Sequence, residues 1–260
     1  YTSINDPSAY FQAKTYSGNG TDNTAITNDG NSNLQPDLWI VKRRAGGAAG
    51  HGVFDSTRGV TKRLNTNLTN AEDTVTDRIK SFDTNGFTLG DNEQSNASGS
   101  TYVAWQWKAN GGTTSSNTDG SITSTVQANT TAGFSIVTWT GNGTSGATVG
   151  HGLGVKPSHI IIRNRSTASI NWTNYASNIG ATKFLQINKT TAETTATNRF
   201  NDTEPTTSVF SLGDSSRSNG NTSDMIAYCF AEKQGYSKFG QYIGNGDAEG
   251  PFVYTGFKPA

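Results

Sequence analysis

FTLGDNEQSNASGSTYVAWQWK, residues Phe87 to Lys108, is written a second time as FSLGDSSRSNGNTSDMIAYCFA, Phe210 to Ala231. At one fixed offset Phe87 meets Phe210, Gly90-Asp91 meets Gly213-Asp214, and Ser95-Asn96 meets Ser218-Asn219. Val103-Ala104-Trp105 meets Ile226-Ala227-Tyr228. Each copy reads as a short strand, a polar loop and a long aromatic strand. In the long strand Val103, Trp105 and Trp107 alternate with Tyr102, Ala104 and Gln106, and Ile226, Tyr228 and Phe230 alternate with Met225, Ala227 and Cys229. The larger face, the one with Trp107 and Phe230, is expected to fill an intersheet core.

The rest of the chain hangs on this duplication. The strands Tyr10–Tyr16 and Phe134–Thr140 each run into a Gly-Asn-Gly, at Gly18 and Gly141, and both are expected to turn back as hairpins. A third start, Tyr236 to Ile243 before Gly244-Asn245-Gly246, is expected to be a strand as well. Leu38–Arg43 and His159–Asn164 each follow a proline and carry three or more consecutive apolar residues, as strands buried on both faces do. Gly59–Asn67 matches Gly180–Asn188. Ser121–Gln127 is expected to be a strand that returns onto Phe134–Thr140.

Composition agrees. Hydrophobic residues are 32% and charged residues 15% of the 260, with Gly, Ser, Thr and Asn filling much of the rest. Ser, Thr and Asn compete for backbone hydrogen bonds and Gly carries backbone entropy, so helices are disfavoured and short strands with many turns are favoured. The expected fold is all-β, two tandem antiparallel sandwiches of jelly-roll or concanavalin-lectin type. Residues 1–10 form a polar arm that gains order by contact, 11–110 the first sandwich, 111–120 a flexible linker, and 121–260 the second sandwich with the start of a third unit over 235–260. The start without Met and the unfinished third unit suggest a piece of a longer chain.

Net charge is zero, with 20 basic and 20 acidic residues and no long basic stripe, which argues against nucleic acid. No apolar run is long enough to span a membrane. One cysteine, Cys229, leaves no intrachain disulfide and reads as a small buried thiol.

Few residues point to chemistry. Gly141-Asn142-Gly143-Thr144-Ser145-Gly146 matches a dinucleotide-loop spacing, but Gly and Thr follow where a helix should begin, so it reads as a turn. His51, His151 and His159 stand apart, with no metal spacing and no nucleophile elbow. Asp83, Asp91 and Glu93 cluster beside Asn85 and Asn92 and are candidate calcium ligands; the alternative is that they cap turns. Lys42-Arg43-Arg44 and Arg163-Asn164-Arg165 end equivalent strands. They read as solvated ends that discourage edge pairing, or as a rim for acidic glycans or a neighbouring subunit. Trp172 is the tryptophan expected to be exposed and to stack on sugars. No cofactor and no catalytic set is expected.

The assembled motifs resemble a β-rich repeat of tailed-phage virion proteins. These are Thr140-Gly141-Asn142-Gly143, Ser81-Phe82-Asp83 with Asn85-Gly86-Phe87-Thr88-Leu89-Gly90, and Tyr102-Val103-Ala104-Trp105 with Trp107-Lys108. Val149–Gly154, Gly250–Gly256 and Asn5–Phe11 extend the likeness over nearly the whole chain. Gln106 and the insertion Asn28 to Leu34 depart from it. The resemblance implies a virion-surface component, a tail-fibre, adhesin or decoration protein, acting by binding and assembly. Its partners would be other virion proteins, further copies of itself (a trimer if a fibre) and a host surface glycan. The alternatives are a carbohydrate-binding module and a glycan-degrading enzyme.

Overall fold

The computed structural model describes Thr2 and residues 4–258; Tyr1, Ser3, Pro259 and Ala260 of the arm and the third start lie outside it. The fold is nearly all β, and every pairing between its named strands is antiparallel.

After a short 3-10 turn at Pro7–Ala9, the first module runs β1 (Phe11–Ser17), β2 (Thr24–Thr27), β3 (Leu38–Ala45), β4 (Gly52–Asp55), β5 (Gly59–Asn65), β6 (Asp73–Thr74), β7 (Ile79–Asp83), β8 (Gly86–Leu89), a one-turn α1 (Glu93–Asn96) and β9 (Thr101–Trp107). The second runs β10 (Ser115–Asn117), β11 (Ser124–Asn129), β12 (Phe134–Thr140), β13 (Ala147–Gly150), β14 (His159–Asn164), β15 (Thr173–Ala176), β16 (Lys183–Phe184), β17 (Thr194–Thr195), α2 (Thr197–Phe200), β18 (Val209–Leu212), α3 (Ser216–Asn219) and β19 (Asp224–Phe230). The large sheets have the orders β1-β9-β3-β4-β5-β6 and β10-β11-β12-β19-β14-β15.

The duplication survives down to single pairings. Phe11 pairs Trp107 as Phe134 pairs Phe230, Thr24 pairs Leu89 as Ala147 pairs Leu212, and Lys62 pairs Thr74 as Lys183 pairs Thr195. The repeated Ser-Asn has a stated job. Asn96 Oδ1 accepts from Asn19 N at 3.0 Å while its amide donates to Thr21 O at 2.9 Å. Asn219 holds Asn142 N and Thr144 O in the same way, at 3.0 Å each.

That clamp corrects the hairpin expectation. β1 pairs with β9, not with β2, which lies in the opposite sheet with β7 and β8. The Gly-Asn-Gly carries the chain from one sheet to the other and is pinned in passing. A Cβ on Gly18 would stand 2.3 Å from Ala97 O, and one on Gly141 2.2 Å from Gly220 O, so only glycine passes there.

The two faces of the long strand also trade places with expectation. Tyr102 and Ala104 enter the first module's own core with Trp39, Phe54 and Phe87. Met225, Ala227 and Cys229 do the same in the second. The larger face points out of each sandwich, towards the other module. Leu38, Val53, Leu64 and Trp107 meet Phe134, Ile136, Ile226, Tyr228 and Phe230 there in a shared core. The molecule therefore has four layers, and its two large sheets are the middle ones. A period-two pattern says which residues share a face but not which sheet covers it.

The modules meet through the same face. Trp107 packs against its own counterpart Phe230, ring centroids 6.0 Å apart. Phe11 lies on Trp107 and Phe134 on Phe230, both at 4.9 Å. Contact between equivalent residues is the mark of an isologous, two-fold-like pairing, which closes on itself instead of propagating.

The supposed linker is not free. Ser115–Asn117 is an edge strand on β11. Upstream, the backbone amides of Ala109, Gly111 and Gly112 donate to the buried Asp37 carboxylate at 2.7, 3.0 and 2.9 Å. Composition predicts a tether here because Gly and Ser have no preference of their own; a buried acceptor supplies one.

The arm, too, finds its contact within the chain. Ser32 donates to Asp6 at 2.6 Å, and Gln12 donates to Ser8 O and Ser32 O at 2.9 Å each. The insertion thus covers the end of β1, the position that β11 flanks in the second module. It also explains the other departure from the repeat. Gln106 is fully buried and exchanges two amide bonds with Asn28, at 3.0 and 2.8 Å. Gln106→Leu is expected to leave the Asn28 Oδ1 without its donor, although the Asn28 amide still donates to Leu34 O, and to cost about 1–3 kcal/mol, read from urea unfolding. Gln106→Leu combined with Asn28→Leu should recover part of that loss, because no buried amide is then orphaned.

The third start is not a strand. Beyond the isolated bridge of Lys233 with Ser237, residues 238–258 hold no strand, and Tyr242, Ile243, Phe252 and Tyr254 are exposed. β1 and β12 are extended because β9 and β19 pair with them; among the described residues 236–243 has no such partner. The local turn persists alone, with Asp247 N donating to Asn245 Oδ1 at 3.0 Å as Thr21 and Thr144 do to Asn19 and Asn142.

Candidate functional site

The calcium candidates do not converge. Asp83 accepts from the Ser81 and Thr88 hydroxyls at 2.6 and 2.8 Å, tying its own hairpin. Asp91 is exposed, and Glu93 points to Arg43 at 3.7 Å with three-quarters of its side chain in solvent. Among the described residues no three His, Cys, Asp or Glu side chains are placed to share a metal ion.

The histidines stand apart. His151 is fully buried between Leu153 N and Thr206 O, and burial lowers its pKa. His51 is lowered by burial too. His159 stacks on Phe239 at 5.6 Å, and burial pulls its imidazole down to about 4. A His held neutral in the fold and charged in the unfolded chain stabilises the fold above its unfolded pKa of 6.5, and that stability is lost as pH falls towards 4. The urea midpoint is expected to drop across this window, and His159→Phe should flatten part of the drop. Cys229 is buried, and burial pushes its thiol up to about 12, as an inert core thiol requires.

Trp172 is not an exposed sugar platform. It is 1% exposed, its indole Nε1 donates to Asn65 O at 2.9 Å in the other module, and it belongs to the shared core. The polar stretch around it suggested a loop on the surface; the surface in question is the one the first module covers. The second basic cluster is likewise not solvated. Arg163 is 1% exposed, reaches Asn70 O across the junction and lies over the Trp172 ring at 5.6 Å. The neighbour it serves is the first module.

The densest polar constellation is one that sequence reading missed. Arg58 sits between the modules with its side chain 1% exposed. Its Nε donates to Asp55 at 2.6 Å, its Nη1 to Glu72 at 2.9 Å, and its Nη2 to the Tyr228 hydroxyl at 3.2 Å. Tyr228 donates to Asp55 at 2.7 Å. Arg165 closes the far side on both Glu72 oxygens, at 2.8 and 2.9 Å. Two guanidinium groups face two carboxylates, so charge cancels inside the cluster. Burial alone would lower Arg58, but Asp55, Tyr228 and Glu72 raise it above the usual guanidinium range. Burial alone would raise Glu72, but Arg165 and Arg58 hold it below the usual carboxylate range. Burial raises the Tyr228 phenol well above its ordinary value. Arg58, Glu72 and Tyr228 are each moved further from neutrality. Arg58 comes from the first module and Tyr228 and Arg165 from the second, so the cluster fixes how the modules sit. No signal in the sequence joins the two halves, because Arg165 and Tyr228 lie 93 and 173 residues from Glu72 and Asp55 and Asp55 has Ala176 as its counterpart.

Fold and cluster together define a class: an all-β protein of two modules sharing one interior. The chain matches, over residues 6–260, the model of a family described as a domain of unknown function (DUF7483), and it belongs to that family. No curated protein and no solved structure matches it.

Proposed function

We propose that the chain is a non-catalytic structural component of a virus particle, a tail-fibre, adhesin or surface-decoration protein that acts by binding and assembly. The observation that carries this reading is the Asp55–Arg58–Glu72 cluster with Tyr228 and Arg165: a buried set of charges is used to hold one module on the other. A host-attachment or decorating part needs a stiff body whose outside makes the contacts. The exposed loops supply that outside, as in Thr21 to Asn23 and Asn221 with Thr222, which carry hydroxyl and amide groups. The resemblance of the repeated motifs to phage virion proteins supplies the setting.

Purified particles probed with a labelled antibody should carry the protein on their surface, in copies grouped by the particle's symmetry. Absence from the particle removes this reading. A glycan array run on the same protein decides whether attachment is through sugar. Specific glycan binding by a protein missing from particles would favour the carbohydrate-binding alternative.

A further inference from the structure

The two middle sheets do not close completely on one another. Between them lies a cavity of about 350 Å³. It straddles the two-fold-like relation of the modules: Phe11 and Trp107 line one side and their counterparts Phe134 and Phe230 the other. Ile40 and Ile161, equivalent residues of β3 and β14, line it as well. The remaining wall is mostly hydrocarbon, and the charged cluster beside it turns its atoms inward on itself, with the Tyr228 hydroxyl committed to Asp55. His159 contributes a ring that burial keeps neutral at neutral pH. Ile187, 42% exposed, and Phe239 stand in the wall with half-buried neighbours, so the space is reached from solvent.

We propose that this cavity is a binding site for a small uncharged apolar molecule, a single hydrocarbon chain or an aromatic ring system, held between the modules. Its volume falls in the range of small-molecule sites, and its lining gives a water molecule too few polar partners to be held well. A charged head group would have to stay outside, because the lining offers no counter-charge. This reading is independent of where the protein stands on a particle.

The test uses the whole chain and a series of straight-chain alcohols, hexanol, octanol and decanol, titrated by calorimetry and by displacement of N-phenylnaphthylamine. Each added CH2 should tighten binding about fourfold until the cavity is full. The carboxylate of the same length should bind more weakly. Ile161→Trp, which fills the space from one side, and the milder Ile40→Phe, which fills it from the other, should each abolish or weaken decanol binding at least tenfold while the near-ultraviolet dichroism of the fold persists. Absence of binding, affinity that ignores chain length, or filled variants that bind decanol as the parent does would each overturn the proposal.

Discussion

Arg58→Met is expected to destabilise the folded chain by about 3–5 kcal/mol, measured by equilibrium urea unfolding. The change removes one charge from a buried set and leaves Asp55, 0% exposed, with the Tyr228 hydroxyl but no cation. Breaking such a pair costs more than never having built it, because the remaining carboxylate stays desolvated. The same logic gives a control. Replacing Asp55, Arg58 and Glu72 together by apolar residues of similar volume should cost far less than Arg58→Met alone. The residual cost would come from the buried Tyr228 hydroxyl, which then loses both Asp55 and Arg58, and from Arg165, which loses both of its Glu72 bonds. A single change that costs under about 1 kcal/mol would mean the cluster is solvated and does not join the modules.

Trp172→Ala is the second large effect, about 3–5 kcal/mol. The side chain is among the largest fully buried ones, it lies beneath Arg163, and it donates across the junction to Asn65 O. Truncation leaves a cavity, an unpaired carbonyl and an arginine without its aromatic floor. The consequence for functional work is direct. Loss of glycan binding in Trp172→Ala would report a damaged junction instead of a lost sugar contact, so thermal unfolding has to accompany any binding assay. Trp172→Phe, which keeps most of the ring and loses the indole N–H, should recover a large share of the stability.

How far the sequence carries is seen in particular residues. The all-β architecture was legible, because alternation in Tyr102–Trp107 and Met225–Phe230 and the turn-forming composition both restrict local backbone choice. The equivalence of the two modules was implicit in the matched segments, and the structure keeps it in corresponding pairings such as Phe11 with Trp107 and Phe134 with Phe230. What lay outside the sequence was the partner of each face. Trp107 and Phe230 read as intramodule core, yet they pack on each other, since alternation carries no label for the covering sheet. Trp172 read as exposed because polar neighbours surround it in the chain, and burial here is decided by a segment about a hundred residues away. Asp83, Asp91 and Glu93 look alike as letters, whereas only the fold tells a hairpin-tying carboxylate from two at the surface. Gln106 and the Asn28 insertion both depart from the repeat, but their hydrogen bonds to each other are legible only in three dimensions.

The modules face each other through equivalent sheet faces and share an interior, so neither opens alone. Amide hydrogen exchange followed by mass spectrometry measures it directly. Peptides covering Thr101–Trp107 and Asp224–Phe230 should be the most protected in the chain and should exchange with one common opening free energy, since exposing either strand opens the same core. Two distinct opening energies, with one strand exchanging freely while the other stays protected, would contradict the shared interior.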